Sequence, residues 1–576
     1  MANKKLFSNK SVNVPVATTV NRAGGISYEM SDMHALAQLV CTGTFNSTYY
    51  ASAQDNLELV KKYVQKLRGN PEFVAKVALY ARNCNYMKDT PAYLCAVLAA
   101  WGESKLFRRI FPMVINNVKM LRNFVQIGRS GEAGKVLNMS SGCVRRAIND
   151  WFNIKSADFI FKGSIGNNPT MKDVLKMARP KPNTEEKAAL FAYLLDYQFD
   201  KRSKSYLLKD KDGVTIRKHK FSSLPKLVQD YENFKSTHKG EIPKVEFRML
   251  DSILDEKELR SLWSLQAETG SWQLTRMNLN NFLKYKVFDN SKLQTIVAER
   301  LRDKHCIKKS NVYPYQLLMA FLNAKGNMPV EITEALQDAM EVSVDNIPKI
   351  NGGVNICIDT SGSMSSAITG NSGVPSKARC IDVAALFGAA ILRTNKDANV
   401  IPFDTRVHST KLNGRDSIMT NAAKLAGFGG GGTDCSCALK YLNNNNATEN
   451  TVIFISDNES WFDTRNSGSY FTYSANLRGR GTSMMEEWAK YKKRNKAAKL
   501  ICIDLTPRNN SQVSENKDIL QIGGWSDQCF DIIAKFIENN EGSNDFWVKE
   551  IQKISLEDLT QDQSSSIIEM EAMDAS

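Results

Sequence analysis

Side chains with hard oxygen atoms recur at three places in the last third of the chain. Asp359, Ser361 and Ser363 form a D-x-S-x-S arrangement, Thr433 follows a run of four glycines, and Asp457 follows the apolar stretch "VIFIS". Carboxylates, hydroxyls and water are ligands that suit Mg²⁺, which prefers octahedral oxygen coordination and keeps several waters. The sequence therefore predicts a divalent-cation site built from these five residues, with Mg²⁺ as the expected ion.

These groups can meet only if the fold places them at one edge of a sheet. Across residues 349–545, apolar runs alternate with amphipathic stretches of helical period. That alternation predicts a mostly parallel sheet with helices on both faces, a doubly wound α/β domain. Loops gather at the carboxyl ends of parallel strands, and Gly429–Gly432 allow the backbone to bring Thr433 close to the other ligands.

The preceding residues, 31–348, show mainly the periodicity of short amphipathic helices, and strand signals are scarce. Many short helices with brief connections predict stacked, HEAT-like helical repeats. No fixed sequence period is present, so a compact all-helical domain is the alternative. Residues 1–30 are interpreted as an N-terminal arm. Residues 546–576 are interpreted as an acidic, disordered tail, because Lys and Arg are absent after Lys553.

The positive charge of the chain is concentrated in this helical part. Residues 1–350 contain 53 Lys and Arg against 34 Asp and Glu, whereas the remainder contains 23 against 27. Cations cluster at residues 101–180 and again at 201–220. Such a surface favours polyanion binding through phosphate neutralisation, with aromatic side chains available to stack on unpaired bases. The alternative is that these lysines and arginines simply keep helix faces solvated.

Other classes of protein fit the sequence less well. The N-terminus lacks the apolar segment of a signal peptide, and no apolar run is long enough to span a membrane, so we expect a cytoplasmic protein. The eleven cysteines lie mostly in apolar stretches, which indicates reduced core thiols. With five histidines, no P-loop and no nucleophile elbow, no catalytic residue is assigned and we expect a non-enzyme.

Several motifs together identify a family. The three oxygen-bearing loops resemble the metal-ion-dependent adhesion site of von Willebrand A domains. The chain from about residue 25 to 540 resembles the Ro ribonucleoprotein autoantigen family, a TROVE module joined to such a domain, in its bacterial form. The matching motifs are "FNSTYY" (45–50), "GCVRRAINDWFN" (142–153), "MKDVLKMARPKP" (171–182), "GGTDCS" (431–436) and "ISDNES" (455–460). None of these motifs falls within residues 183–311, which are left unaligned.

This resemblance implies a ring of HEAT-like repeats closed by the von Willebrand A domain. It also implies a monomer that binds a structured small RNA of the Y class on its outer surface. Single-stranded 3′ ends of misfolded RNA would enter the cavity for RNA quality control, and polynucleotide phosphorylase would be a partner reached through the RNA. No membrane is involved.

The resemblance also points to particular residues. Lys162 and Arg179 fall where the family has outer-surface contacts, and Arg145, Arg146 and Lys172 lie beside them. A family arginine shortly after Lys162 is replaced here by Gly166. In von Willebrand A domains, the open position of the cation usually accepts a partner's carboxylate. A protein-interaction scaffold that docks such a carboxylate on the metal site is therefore the alternative function.

Overall fold

A computed structural model describes residues 14–557, except 22, 42, 44, 46–51, 210–211, 311, 325, 327, 369–375, 396, 458, 461–480, 507, 525–528 and 539–545. Nearly all of the motif at 45–50, and Asn458 of the motif at 455–460, lie outside the described residues. The described chain forms two compact units. The first contains the residues up to Arg68, Thr275–Asn280 and Phe288–Lys553. The second contains Gly69–Leu274, Asn281–Val287 and the residues from Ile554 on.

Helices dominate the chain up to residue 350, as the sequence predicted. They are α1 (Asp32–Cys41), α2 (Ala53–Lys66), α3 (Pro71–Asn83), α4 (Asp89–Trp101), α5 (Ser104–Val114), α6 (Val118–Ser130), α7 (Gly142–Ile154), α8 (Ala157–Lys162), α9 (Met171–Ala178), α10 (Glu185–Leu194), α11 (Lys226–Thr237), α12 (Phe247–Leu250), α13 (Glu256–Thr269), α14 (Trp272–Met277), α15 (Leu279–Lys284), α16 (Ser291–Arg302), α17 (Lys304–Lys309), α18 (Pro314–Ala324) and α19 (Val330–Ser343).

The remaining helices and the strands complete the list. The helices are α20 (Cys380–Thr394), α21 (Ile418–Ala426), α22 (Cys435–Asn444), α23 (Ser483–Arg494), α24 (Cys529–Glu538) and α25 (Phe546–Gln552). The strands are β1 (Thr19–Val20), β2 (Ile26–Glu29), β3 (Gln198–Asp200), β4 (Ser205–Lys209), β5 (Thr215–Lys220), β6 (Val354–Asp359), β7 (Ala398–Phe403), β8 (Thr451–Ser456), β9 (Lys499–Asp504), β10 (Asn510–Ser511) and β11 (Ile519–Gly523).

The second unit is built by stacking of successive helices. Helix α3 packs on α4 and α5, α4 packs on α5 and α6, and α5 packs on α7. Contacts between neighbours and next neighbours are the arrangement of helical repeats, in which each repeat covers the apolar face of the previous one. Aromatic side chains fill the interior: Phe107, Phe111 and Phe124 from α5 and α6 lie with ring centroids 5.0–5.9 Å apart. The predicted class of helical repeats is confirmed.

The first unit contains the predicted sheet. Its five strands run in the order β11-β9-β8-β6-β7, and all neighbouring pairs are parallel. Strands β6 and β8 are buried along their whole length, which explains their continuous apolar sequences. Because β6 and β8 are neighbours, the loops that follow them leave the same edge of the sheet side by side. The predicted α/β domain is confirmed.

The first unit also includes residues from the start of the chain. Strand β2 pairs antiparallel with β10, and the Met30 amide donates to the Asn509 carbonyl at 3.1 Å. Helices α16–α19 belong to this unit as well. The compact units therefore divide the chain at positions other than the predicted borders at residues 30, 348 and 545.

One expectation from the sequence was wrong, and one local feature was not predicted. The tail predicted to be disordered from residue 546 begins with α25, whose Phe546, Trp547 and Ile551 are buried and which packs on α1. Its acidic composition, from Glu557 on, masked this short apolar segment. The basic stretch at 201–220 is mostly a three-stranded antiparallel sheet, β3-β4-β5, inside the helical unit. Its lysines hid the strand alternation in the sequence.

No disulfide joins any of the eleven cysteines, and seven of them are buried. This agrees with the interpretation of reduced core thiols. Among the described residues, no helix combines the length and apolar character needed to cross a membrane.

Replacing Trp547 with alanine tests whether α25 is an integral part of the first unit. Trp547 is 1% exposed, with its ring edge-on to His34 at 6.3 Å between centroids. Removing so large a buried side chain should lower the free energy of unfolding by roughly 3–5 kcal/mol. Chemical denaturation measures this loss, and Lys549→Ala on the exposed face of α25 is the control, within about 0.5 kcal/mol of the original chain. Equal stability of the two variants would contradict the packing of this helix.

Candidate metal centre and basic surface

The first loop of the candidate metal centre begins where β6 ends, at Asp359. Both carboxylate oxygens of this residue are held in place. The Ser361 amide donates to Oδ1 at 2.8 Å, and the Ser456 hydroxyl donates to Oδ2 at 2.6 Å. The hydroxyl oxygens of Ser361 and Ser363 lie 3.2 Å apart. The D-x-S-x-S spacing thus turns both serines to the same side as the aspartate.

The glycine-rich second loop lies directly against the first. The Gly362 amide donates to the Gly431 carbonyl at 3.0 Å, and the Gly430 amide donates to the Thr360 carbonyl at 3.1 Å. Gly429 has φ +102°, and a Cβ there would lie 1.6 Å from the Thr360 carbonyl oxygen. Only glycine permits this approach. It brings Thr433, which is 2% exposed, next to the first loop.

The third loop leaves β8 beside the other two. Asp457 is 2% exposed and accepts a hydrogen bond from the Ser363 hydroxyl. The Ser460 hydroxyl donates to the Thr433 carbonyl at 3.3 Å, which joins the third loop to the second. The structure therefore brings the three loops that carry the five predicted residues together at one edge of the sheet.

The electrostatics of the site favour a cation. Burial, and then the charge of Asp457, raise the pKa of Asp359 to about 7. Burial also raises the pKa of Asp457, although the hydrogen bond from Ser363 and the charge of Arg508 oppose this. Two buried carboxylates repel each other unless a positive ion lies between them. Among the described residues no cluster of three or more His, Cys, Asp or Glu could hold a metal. A cation here would therefore need hydroxyl and water ligands beside the two carboxylates.

Sequence reasoning missed residues that support this site. The Ser456 hydroxyl orients Asp359, and its place directly before Asp457 was the available signal. Arg508 and Glu459 form a deeply buried ion pair behind the third loop, with Nε and Oε1 3.8 Å apart and side chains 3% and 1% exposed. No local motif indicated Arg508, since it follows a different strand, β9.

The predicted RNA-binding residues lie in the second unit. Arg145 and Arg146 are exposed on α7. Arg179 ends α9 with φ +48° and is also exposed. The Asn149 side chain accepts a hydrogen bond from the Lys181 amide at 2.8 Å. This bond brings α7 and the segment after α9 together, and Asn149 lies one turn beyond Arg145 on the same face of α7.

Lys172 differs from the other predicted cations. Its Nζ lies 2.5 Å from Oδ2 of Asp196, and both side chains are partly exposed. Among the described residues, no carboxylate forms an ion pair within 4 Å of Arg145, Arg146, Lys162 or Arg179. The charge of Lys172 is therefore already partly neutralised, and the other four are available for a polyanion.

Lys162 lies in a different part of the unit, beside Glu246 and Arg248. Partial burial raises the pKa of Glu246, while the charges of Arg248 and Lys162 oppose the shift. The nearby Gly166 has φ +134°, and a Cβ there would lie 1.6 Å from Nη1 of Arg122. Arg122 therefore occupies the space that a side chain at position 166 would need. Arg122 belongs to the basic cluster predicted at residues 101–180, whereas Arg248 lies outside both predicted clusters.

Comparison with known proteins agrees with this geometry. Residues 354–537 match the Ro60 vWA domain, so the sheet domain is a von Willebrand A domain of the Ro60 type. The chain is 23% identical to the RNA-binding protein RO60 of Deinococcus radiodurans over 548 residues, which are 90% of this chain and 94% of that protein. The crystal structure of the D. radiodurans RO (RSR) protein is similar in fold, with a TM-score of 0.60 and 20% identity. That match covers 88% of this chain and 99% of the other. The predicted resemblance to the Ro family is confirmed.

Replacing Asp359 with asparagine tests the repulsion between the buried carboxylates. A carboxyl whose pKa is raised on folding, from 3.8 to about 7 here, binds a proton that the unfolded chain has lost. Its contribution to stability therefore falls as the pH rises between these values. In a metal chelator, Asp359→Asn should be more stable than the original chain at pH 8, and the difference should shrink at pH 5. Denaturant titrations at both pH values measure it, and a difference independent of pH would contradict the assignment.

Proposed function

We propose that this chain binds RNA through exposed cations of its helical unit. The observation that carries the proposal is the state of Arg145, Arg146, Lys162 and Arg179. All four are exposed, and no carboxylate among the described residues forms an ion pair with them. Such cations bind phosphates with release of counterions and without first breaking an internal ion pair. The similar D. radiodurans protein is named as RNA-binding, which supports the same activity here.

The finer proposal concerns the kind of RNA. We propose a structured small RNA of the Y class on the outer surface, and single-stranded 3′ ends of misfolded RNA in a ring cavity. The protein would act in RNA quality control as a cytoplasmic, monomeric non-enzyme, with polynucleotide phosphorylase recruited through the RNA. The Ro-family resemblance supports this finer reading. Guanidinium groups also suit it, because they present planar sets of donors to phosphate.

We further propose that the candidate metal centre binds Mg²⁺. Asp359 and Asp457 supply the charge, and Ser361, Ser363 and Thr433 supply hydroxyl oxygens. In this proposal the cation offers an electrophilic position to a carboxylate from a partner. A scaffold function of this kind is the second candidate. The raised pKa of Asp359 favours a bound cation, because burial and the charge of Asp457 disfavour its ionised form.

Reversing the charge of Arg145, Arg146, Lys162 and Arg179 to glutamate should remove RNA binding. The expected loss of affinity for a structured small RNA is roughly 100-fold or more, because attraction to phosphate is replaced by repulsion. Each lost phosphate contact should also flatten the salt dependence of binding by about 0.7–0.9 in the log–log slope. Filter binding across several salt concentrations measures both quantities. Retained affinity and an unchanged slope would show that the site lies elsewhere.

The matched control reverses four other exposed lysines, Lys226, Lys235, Lys257 and Lys292. It changes the net charge equally, so long-range repulsion of RNA is the same in both variants. The control should lose less than roughly tenfold in affinity. If both variants lose affinity equally, the binding depends on total charge and not on the proposed residues.

Removing the metal ligand should separate the two proposed activities. Addition of Mg²⁺ should raise the melting temperature of the original chain at pH 8, less so at pH 6, where protons compete for Asp359. Asp359→Asn should abolish this shift, because asparagine brings no charge to the cation. RNA affinity of the same variant should stay within about twofold. A shift that persists in the variant would overturn the proposed metal centre.

A further inference from the structure

The small sheet inside the helical unit carries a concentration of positive charge that the proposed RNA site does not include. Strands β3, β4 and β5 and their turns span residues 198–220, which contain eight Lys or Arg against three Asp. The described cations of this segment, Lys201, Arg202, Lys204, Lys209, Arg217, Lys218 and Lys220, are all exposed. The segment lies within residues 183–311, where none of the matching motifs falls.

The packing of Tyr206 shows which side of the small sheet faces α10 and which side faces solvent. Tyr206 in β4 is 8% exposed and meets Tyr193 of α10 edge-on, with ring centroids 5.8 Å apart. Tyr206 lies opposite His219 in β5, so both residues are on the side that faces α10. Alternation along β5 then places Ile216, Lys218 and Lys220 on the other side. All three are exposed, and Ile216 is 56% exposed.

The two outer cations of β5, Lys218 and Lys220, form no ion pair within 4 Å among the described residues. Asp200 is a nearby carboxylate, and the charge of Lys218 adds to the lowering of its pKa, although the hydrogen bonds from Ser203 contribute more. It accepts hydrogen bonds from its own turn, from the Arg202 and Ser203 amides and the Ser203 hydroxyl, at 2.6–3.2 Å. An exposed row of cations and apolar side chains on an edge strand therefore remains available for a ligand.

We propose that this sheet, residues 198–220, binds a single-stranded segment of RNA. The inference rests on the proposed RNA-binding function and adds a second contact surface to it. Lys218 and Lys220, about 7 Å apart along one side of β5, attract phosphates. The exposed Ile216 on the same side, and Val214 just before β5, offer apolar contacts to bases. Unpaired bases can use such contacts, whereas the deep groove of duplex RNA keeps its bases away from side chains.

A different role for these lysines is protection of an open sheet edge. Strand β5 is at the edge of its sheet, and charged side chains on edge strands prevent pairing with other chains. Glutamate would protect the edge equally well but would repel phosphate. Replacing Lys218 and Lys220 with glutamate therefore separates the two roles without removing the protection.

The experiment compares two RNA probes, an unstructured oligouridylate and a stem-loop without single-stranded tails, by fluorescence anisotropy on the full chain. The variant K218E/K220E should bind oligouridylate at least roughly tenfold more weakly than the control K257E/K292E, which has the same net charge. Binding of the stem-loop should differ by less than twofold between the two. In the original chain, oligouridylate containing 4-thiouridine should crosslink within residues 198–220.

The outcomes distinguish this inference from the function on which it rests. If the original chain binds the stem-loop but K218E/K220E and its control bind oligouridylate equally, the sheet does not contact RNA and the helical site stands. Crosslinks confined to other segments would overturn the inference in the same way. If neither probe binds the original chain, both proposals fail. Binding of an acidic peptide, but not oligouridylate, at this sheet would assign the surface to a protein partner.

Discussion

The strand order of the sheet domain places two buried carboxylates, those of Asp359 and Asp457, close to each other, and the groups around them must offset their repulsion. Strands β6 and β8 are parallel neighbours, and Asp359 and Asp457 occupy or follow their carboxyl ends. Three hydroxyls, those of Ser456, Ser361 and Ser363, surround the pair and offset part of the repulsion. The close approach at Gly429 brings the loop that carries Thr433 against the first loop. Two buried carboxylates with hydroxyl oxygens around them form a set of ligands that suits the proposed cation.

In the helical unit most of the charged side chains are cations, and most of these cations are exposed to solvent instead of being buried together. Stacked helices bury apolar faces against their neighbours and leave other faces exposed along the whole stack. Arg145 and Arg146 use such a face of α7, and Arg179 projects from the end of α9. Arg122 of α6 is different, because its guanidinium lies against Gly166 in the loop after α8. The same unit thus places cations both on exposed helix faces and against loops.

The sequence predicted those features that depend on residues close together in the chain. The D-x-S-x-S loop, the glycines before Thr433 and the strand before Asp457 are local patterns, and the parallel sheet follows from the alternation of elements. Contacts between distant segments left no such signal. Nothing near Gly166 indicates that Arg122 covers it, and nothing near Asp457 indicates Arg508. The sheet formed by β3, β4 and β5 was missed because its exposed outer strand, "TIRKHK", lacks the apolar alternation that identifies a half-buried strand.

The excess of Lys and Arg in residues 1–350 overstates the capacity of this part to bind RNA. A cation that already forms an ion pair must leave its carboxylate before it can bind a phosphate. Lys172 is paired with Asp196, and Arg108 is paired with Asp150 at 3.0 Å. Exposed pairs of this kind contribute about 0–1 kcal/mol to stability, yet they remove a cation from the set available to RNA. A count of charges from the sequence gives Lys172 and Arg145 the same weight, whereas in the described part of the structure only Lys172 of the two forms an ion pair. Affinity for phosphate should therefore follow the cations that form no ion pair within 4 Å among the described residues. These include Arg145, Arg146, Lys162 and Arg179 and, in the small sheet, Lys218 and Lys220.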